Sequence, residues 1–158
     1  MSGLSSLLRA YGDRLFLLAL TLWAGALWTI GFIVAPTLFE MLDDRALAGN
    51  VAGSLFSSLN WVGIVAGVYM LAHCAAIYRA DVARQVSVWL IAAMLLIALA
   101  MQFGIQPLIA EMRATGDIVQ DEALRERFAL WHGVSSVLYV LQSVLAVVVV
   151  ARARRMLA

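Results

Sequence analysis

The chain has 158 residues, 64% of them hydrophobic and 13% charged, with a net charge of +1 and a single cysteine. So large an apolar fraction exceeds what a water-soluble core can bury, and the near-neutral charge offers no footprint for nucleic acid. Cys74 alone excludes an internal disulfide and a cysteine-based zinc site, and the length fits one domain over residues 1–158.

Crossing the hydrocarbon core of a bilayer takes ~20 apolar residues in a helix. The first stretch that qualifies runs from Leu15 to Pro36, after Arg9 and Arg14. Two arginines, the run Leu15 to Trp23, and Ala24-Gly25-Ala26 also have the form of a signal peptide with a small-residue cleavage site. The apolar run continues to Pro36, however, which favours a retained span. Beyond it, Asp43-Asp44-Arg45 interrupts the run. Asp44 is placed to cap a short amphipathic helix from Arg45 to Phe56, with Gly49, Gly53 and Ser57 on one side.

The second span covers roughly Leu59 to Tyr78. It repeats the small-residue spacing at Gly63 and Gly67, a pattern that permits close helix approach. It also carries His73, one turn after Tyr69, for which a hydrogen bond to a neighbouring backbone carbonyl is expected. Arg79 and Arg84 separate it from the third span, Val86 to Ile109. There Gln102 and Gln106 lie one turn apart, and Pro107 removes a backbone hydrogen bond and kinks the helix. The charged segment Glu111 to Arg127 extends the third and fourth helices beyond the membrane, with Gly116 ending one and Asp121 capping the other.

The fourth span, Phe128 to Ala151, carries the richest polar set: His132, Ser135, Ser136, Tyr139, Gln142 and Ser143. Their spacing places most of them on one helical face, which is expected to look into the bundle. Trp23, Trp28, Trp61 and Trp131 suit an interfacial belt or helix packing. No internal repeat is evident. The continuous apolar runs lack the alternation of a β-barrel, so the fold class is an all-α integral membrane four-helix bundle.

The arginines orient it. Seven lie on the side of the termini and the second connection, at positions 9, 14, 79, 84, 152, 154 and 155. The other side holds Arg45, Arg113, Arg125 and Arg127 among eight of the ten acidic residues. The positive-inside rule therefore places both termini in the cytoplasm.

One constellation has chemistry. His132, Ser135, Ser136, Gln102, Gln106, Glu40 and Glu111 all fall towards the outward mouth. If they converge there, an imidazole beside carboxylates suits a divalent metal, with His132, Glu40 and Glu111 as ligands, or a proton relay. His73 lies some ~15–20 Å deeper than His132, so the two cannot be paired axial ligands of one haem within one chain. No motif calls for a cofactor. A haem on a single histidine, or on histidines of two protomers, and a divalent metal are the two that the residues admit. No nucleophile motif, phosphate loop, metalloprotease helix or dinucleotide fingerprint is present, so an enzyme is not expected.

The segment Phe128-Ala-Leu-Trp-His132-Gly133-Val-Ser135-Ser136 resembles the F-x-x-x-H-G-x-S-S signature of the transmembrane protein 205 family, whose bacterial branch is domain-of-unknown-function family 4149. Leu22-Trp23-Ala-Gly25, Ala35-Pro36-Thr-Leu38-Phe39, Arg45-Ala-Leu-Ala48-Gly49 and Gln106-Pro107 are similar to that branch, in the same order. The resemblance implies a small four-helix protein of the bacterial inner membrane and brings no established reaction. Some relatives carry a histidine early in the first helix, whereas Leu15 to Leu22 has none. Two functions are expected to compete: binding or transport of a metal ion, proton or small solute at the outward pocket, within a homo-oligomer, and a structural or accessory role through helix packing; a haem-dependent enzyme is a third reading.

Overall fold

A computed structural model describes residues 2–115 and 121–157. These residues contain four helices long and apolar enough to cross a membrane: Ser6–Met41, Arg45–Arg84, Val86–Ala114 and Glu122–Leu157. The all-α bundle is as expected. Each helix is longer than its apolar run, so the polar flanks extend the helices rather than forming loops.

The first span consists of α1 (Ser2–Thr29), a π turn (Ile30–Val34) and α2 (Ala35–Met41). The second is α3 (Arg45–Tyr78) followed by a 3-10 stretch (Arg79–Arg84). The third repeats the first, with α4 (Val86–Ala100), a π turn (Met101–Ile105) and α5 (Gln106–Thr115), and α6 (Glu122–Leu157) is the fourth. Asp44 caps α3 by accepting from the amides of Ala46 at 2.8 Å and Leu47 at 3.0 Å. The helix it starts does not stop at Phe56. The expected short amphipathic helix is the first stretch of α3, because nothing between Ser57 and Leu59 breaks the backbone ladder. Asp121 accepts from the amide of Leu124 at 3.1 Å and so caps α6, whereas Gly116 lies outside the described residues.

The two π turns bring out a short internal repeat where none was expected from the sequence. Phe32-x-x-x-Pro36-x-x-x-Glu40 recurs as Phe103-x-x-x-Pro107-x-x-x-Glu111. In each, a wide turn immediately precedes the helix that carries proline at its second position. The amide of Ala35 bonds to the Ile30 carbonyl, and that of Gln106 to the Met101 carbonyl, five residues back in both cases. Such a turn is a recognised way to bend a helix where an N–H is missing.

The spans form a ring in which the first packs on the second and fourth, and the third on the same two. The first and third, which bear the π turns, are therefore diagonal and parallel. Trp23 fills the centre, completely buried, with Phe16, Leu27, Met70, Ile91, Met94 and Val149 around it. A Cβ at Gly63 would stand 2.5 Å from Trp23 Nε1, so the glycine makes room for the indole. Leu18, Leu22, Val65, Leu96, Val137 and Val144 face outwards, as lipid contact requires.

At the end that holds the termini, polar groups tie the helices together. Tyr78 donates to the Met156 carbonyl at 2.7 Å, and Arg152 Nε to Ser87 Oγ at 3.2 Å. His73 Nε2 lies 2.9 Å from Asp13 Oδ1, with the imidazole stacked on Tyr69, whose hydroxyl donates to the Gly12 carbonyl at 3.0 Å. The partner of His73 is thus a carboxylate rather than the expected carbonyl.

Candidate functional site: a polar cleft between the second and third spans

Four residues of α3 and six of the third span line a cleft of about 540 Å³ near the end opposite the termini. Asn50, Gly53, Ser54 and Ser57 form one wall; Gln102, Gln106, Pro107, Ala110, Arg113 and Ala114 form the other. The helical repeat explains both walls. Asn50, Ser54 and Ser57 fall on one stripe of α3, as Gln106, Ala110 and Arg113 do on α5.

At the deep end, the Gln102 carboxamide is held at both of its ends. Its oxygen accepts from Ser57 Oγ at 3.2 Å and from Trp61 Nε1 at 3.0 Å, while its nitrogen donates to the Ser57 carbonyl at 3.3 Å. That orientation is the one that satisfies both ends of the amide. The Trp61 ring meets Phe103 edge-on, with centroids 5.7 Å apart.

At the shallow end stands Arg113, half-buried. Its Nη1 donates to the Gly49 carbonyl at 2.7 Å, and its guanidinium lies over the Phe128 ring at 5.5 Å. A Cβ on Gly53 would come within 2.9 Å of that same Nη1. Gly49 and Gly53, expected to let helices approach closely, instead open the space that an arginine side chain occupies. No carboxylate lines the cleft among the described residues. The side chains of Asn50 and Gln106 make no hydrogen bond among the described residues, and Arg113 gives one of its five N–H donors to Gly49.

The expected constellation is divided. Gln102 and Gln106 lie in the cleft, next to Pro107. His132, Ser136, Glu40 and Glu111 are exposed elsewhere on the surface, and the described residues contain no group of three His, Cys, Asp or Glu able to hold a metal. The fourth-helix stripe turns inwards from Tyr139 on: the Tyr139 hydroxyl donates to the Leu27 carbonyl, Gln142 and Ser143 are buried, and Gln142 Nε2 donates to the Met94 carbonyl at 3.1 Å. Higher up, Phe128, Trp131 and Leu138 pack on Met101, Ile105 and Ile109, which leaves His132 on the flank. Ser135 and Ser136 both donate to the His132 carbonyl at 2.8 Å, so their hydroxyls are spent within their own helix. His132 still touches the site indirectly, because its ring stacks on Phe128 at 5.8 Å, the ring that supports Arg113.

In the sequence Arg113 counts only towards orientation, Ser57 only as a small residue, and Asn50 and Ser54 are not singled out. A signal existed for the first: Arg113 follows Gln102 and Gln106 at spacings of eleven and seven, on the same helical face.

A family model described as "Domain of unknown function (DUF4149)" matches residues 18–117, which include both walls of the cleft but not the segment from Phe128 to Ser136. No curated protein and no solved structure matches the chain.

Proposed function

This chain belongs to the domain-of-unknown-function family DUF4149, and from the chemistry of its cleft we propose that it is a membrane-embedded binding protein for a small anionic or strongly polar group. The observation that carries the reading is the guanidinium of Arg113 beside the uncommitted carboxamides of Gln106 and Asn50. In hydrocarbon, a polar group without a partner is costly, so such a cleft calls for an occupant. A cation finds no carboxylate there and meets a positive charge. An anionic oxygen finds a planar fork of donors and two amides, the combination that arginine sites use for carboxylate and phosphate.

The arginine distribution supports placing the cleft on the outer side of a bacterial inner membrane, with both termini cytoplasmic. Reporter fusions at Ala158 and in the 116–120 connection test this. An enzyme that folds only in the periplasm should be active from the connection and silent from the C-terminus; the opposite pattern overturns the placement. A homo-oligomer is the natural competitor for the cleft, since a second copy would satisfy the same amides.

The binding test uses purified protein titrated with sn-glycerol 1-phosphate or with Mn²⁺. Binding of the phosphate should weaken about tenfold or more in Arg113→Gln, the cost of losing a charge-assisted hydrogen bond. Binding of Mn²⁺ alone, unaffected by Arg113→Gln, overturns the reading.

A further inference from the structure

Trp61 stands beside the deep end of the polar cleft, bonded to Gln102. On the far side of that residue begins a second groove of about 560 Å³, between the first and second spans, lined almost wholly by apolar side chains. Leu15, Leu18 and Leu22 form one wall; Trp61, Val65 and Tyr69 form the other. Trp61 is common ground. Its indole N–H reaches the amide of Gln102 at the floor of the polar cleft, and its half-exposed ring opens the apolar groove.

We infer that the two grooves together form one site for an anionic lipid, its phosphate head against Arg113 and Gln106 and an acyl chain along Val65 towards Tyr69. The inference rests on the binding reading above and names the ligand's class. Three observations carry it. The first is order: along α3 the surface runs polar at Asn50 and Ser54, aromatic at Trp61, then apolar at Val65, which is the order of head, boundary and tail in an amphiphile. The second is charge. The cleft offers a cation and no carboxylate among the described residues, so an anionic head is complemented. The third is reach. At ~1.5 Å rise per residue, Asn50 to Val65 spans roughly 22 Å, longer than a free anion needs and close to the depth of one leaflet with its headgroups, about half of the bilayer. The outward exposure of Val65, at 68%, leaves the chain groove open to the bilayer, so a lipid enters sideways without crossing the core.

Native mass spectrometry of the delipidated full chain in detergent, with added dioleoyl phosphatidylglycerol, tests the assignment against dioleoyl phosphatidylcholine and against sn-glycerol 1-phosphate. One phosphatidylglycerol should be retained in preference to phosphatidylcholine, and Arg113→Gln should lower its occupancy about tenfold. Val65→Trp fills the chain groove from its open side and lies outside the cleft. It should reduce phosphatidylglycerol retention while leaving binding of the head phosphate unchanged. If the head phosphate binds through Arg113 but Val65→Trp leaves lipid retention intact, the lipid assignment falls and the binding reading stands. If no ligand depends on Arg113, or if the cleft is covered by a second copy that dissociates in Arg113→Gln, both fall.

Discussion

Gly63 and Gly53 are each opposed by a side chain rather than by a neighbouring backbone. In lipid there is little hydrophobic drive between helices, so packing detail carries much of the association. Gly63→Leu should therefore lower the thermal stability of the purified protein by about 1–3 kcal/mol, through overpacking against Trp23. A melting curve followed by helical circular dichroism checks it, and an unchanged midpoint would show that the indole shifts without cost. Asp13 and His73 form a pair whose side chains are 22% and 11% exposed. Asp13→Leu leaves the imidazole without its carboxylate and should cost roughly 1–3 kcal/mol, read by the same melt. Arg79 makes the opposite case. It sits at φ 48°, ψ −115°, a left-handed backbone that a side chain disfavours, so Arg79→Gly should stabilise the fold by about 1 kcal/mol.

At the scale of elements, the decisive features are the two π turns. Each lies just before a proline, on the two spans that run parallel across the bundle. The turn at Met101–Ile105 carries Gln102 into the polar cleft and Ile105 into the core, so the bend and the site share one cause. Pro107→Ala restores an N–H and removes the ring that opposes a regular helix. Hydrogen exchange should then show new protection at residue 107 and greater protection across the turn. Unchanged exchange from residue 101 to 106 would mean that packing, not proline, imposes the wide turn. The fourth helix teaches a complementary point. Its polar stripe is real as a pattern, yet His132 and Ser136 face outwards because Phe128, Trp131 and Leu138 take the inward positions at that level.

For the molecule as a whole, the amino-acid sequence by itself determined the number of spans, the all-helical class, the cap at Asp44 and the proline-bearing third helix. Hydropathy and capping are local quantities, summed over neighbours in the chain, and the bilayer forces every apolar run of sufficient length into a helix. What only the tertiary structure decided was partnership: that Gly53 accommodates Arg113, that Gly63 accommodates Trp23, that Asp13 meets His73, and that Gln102 and Gln106 share a cleft with Asn50 rather than with His132. Those pairings depend on how far each helix is rotated about its own axis and on which neighbour it meets. Residues 40 to 60 apart in the chain set both, and no periodicity within one helix records them.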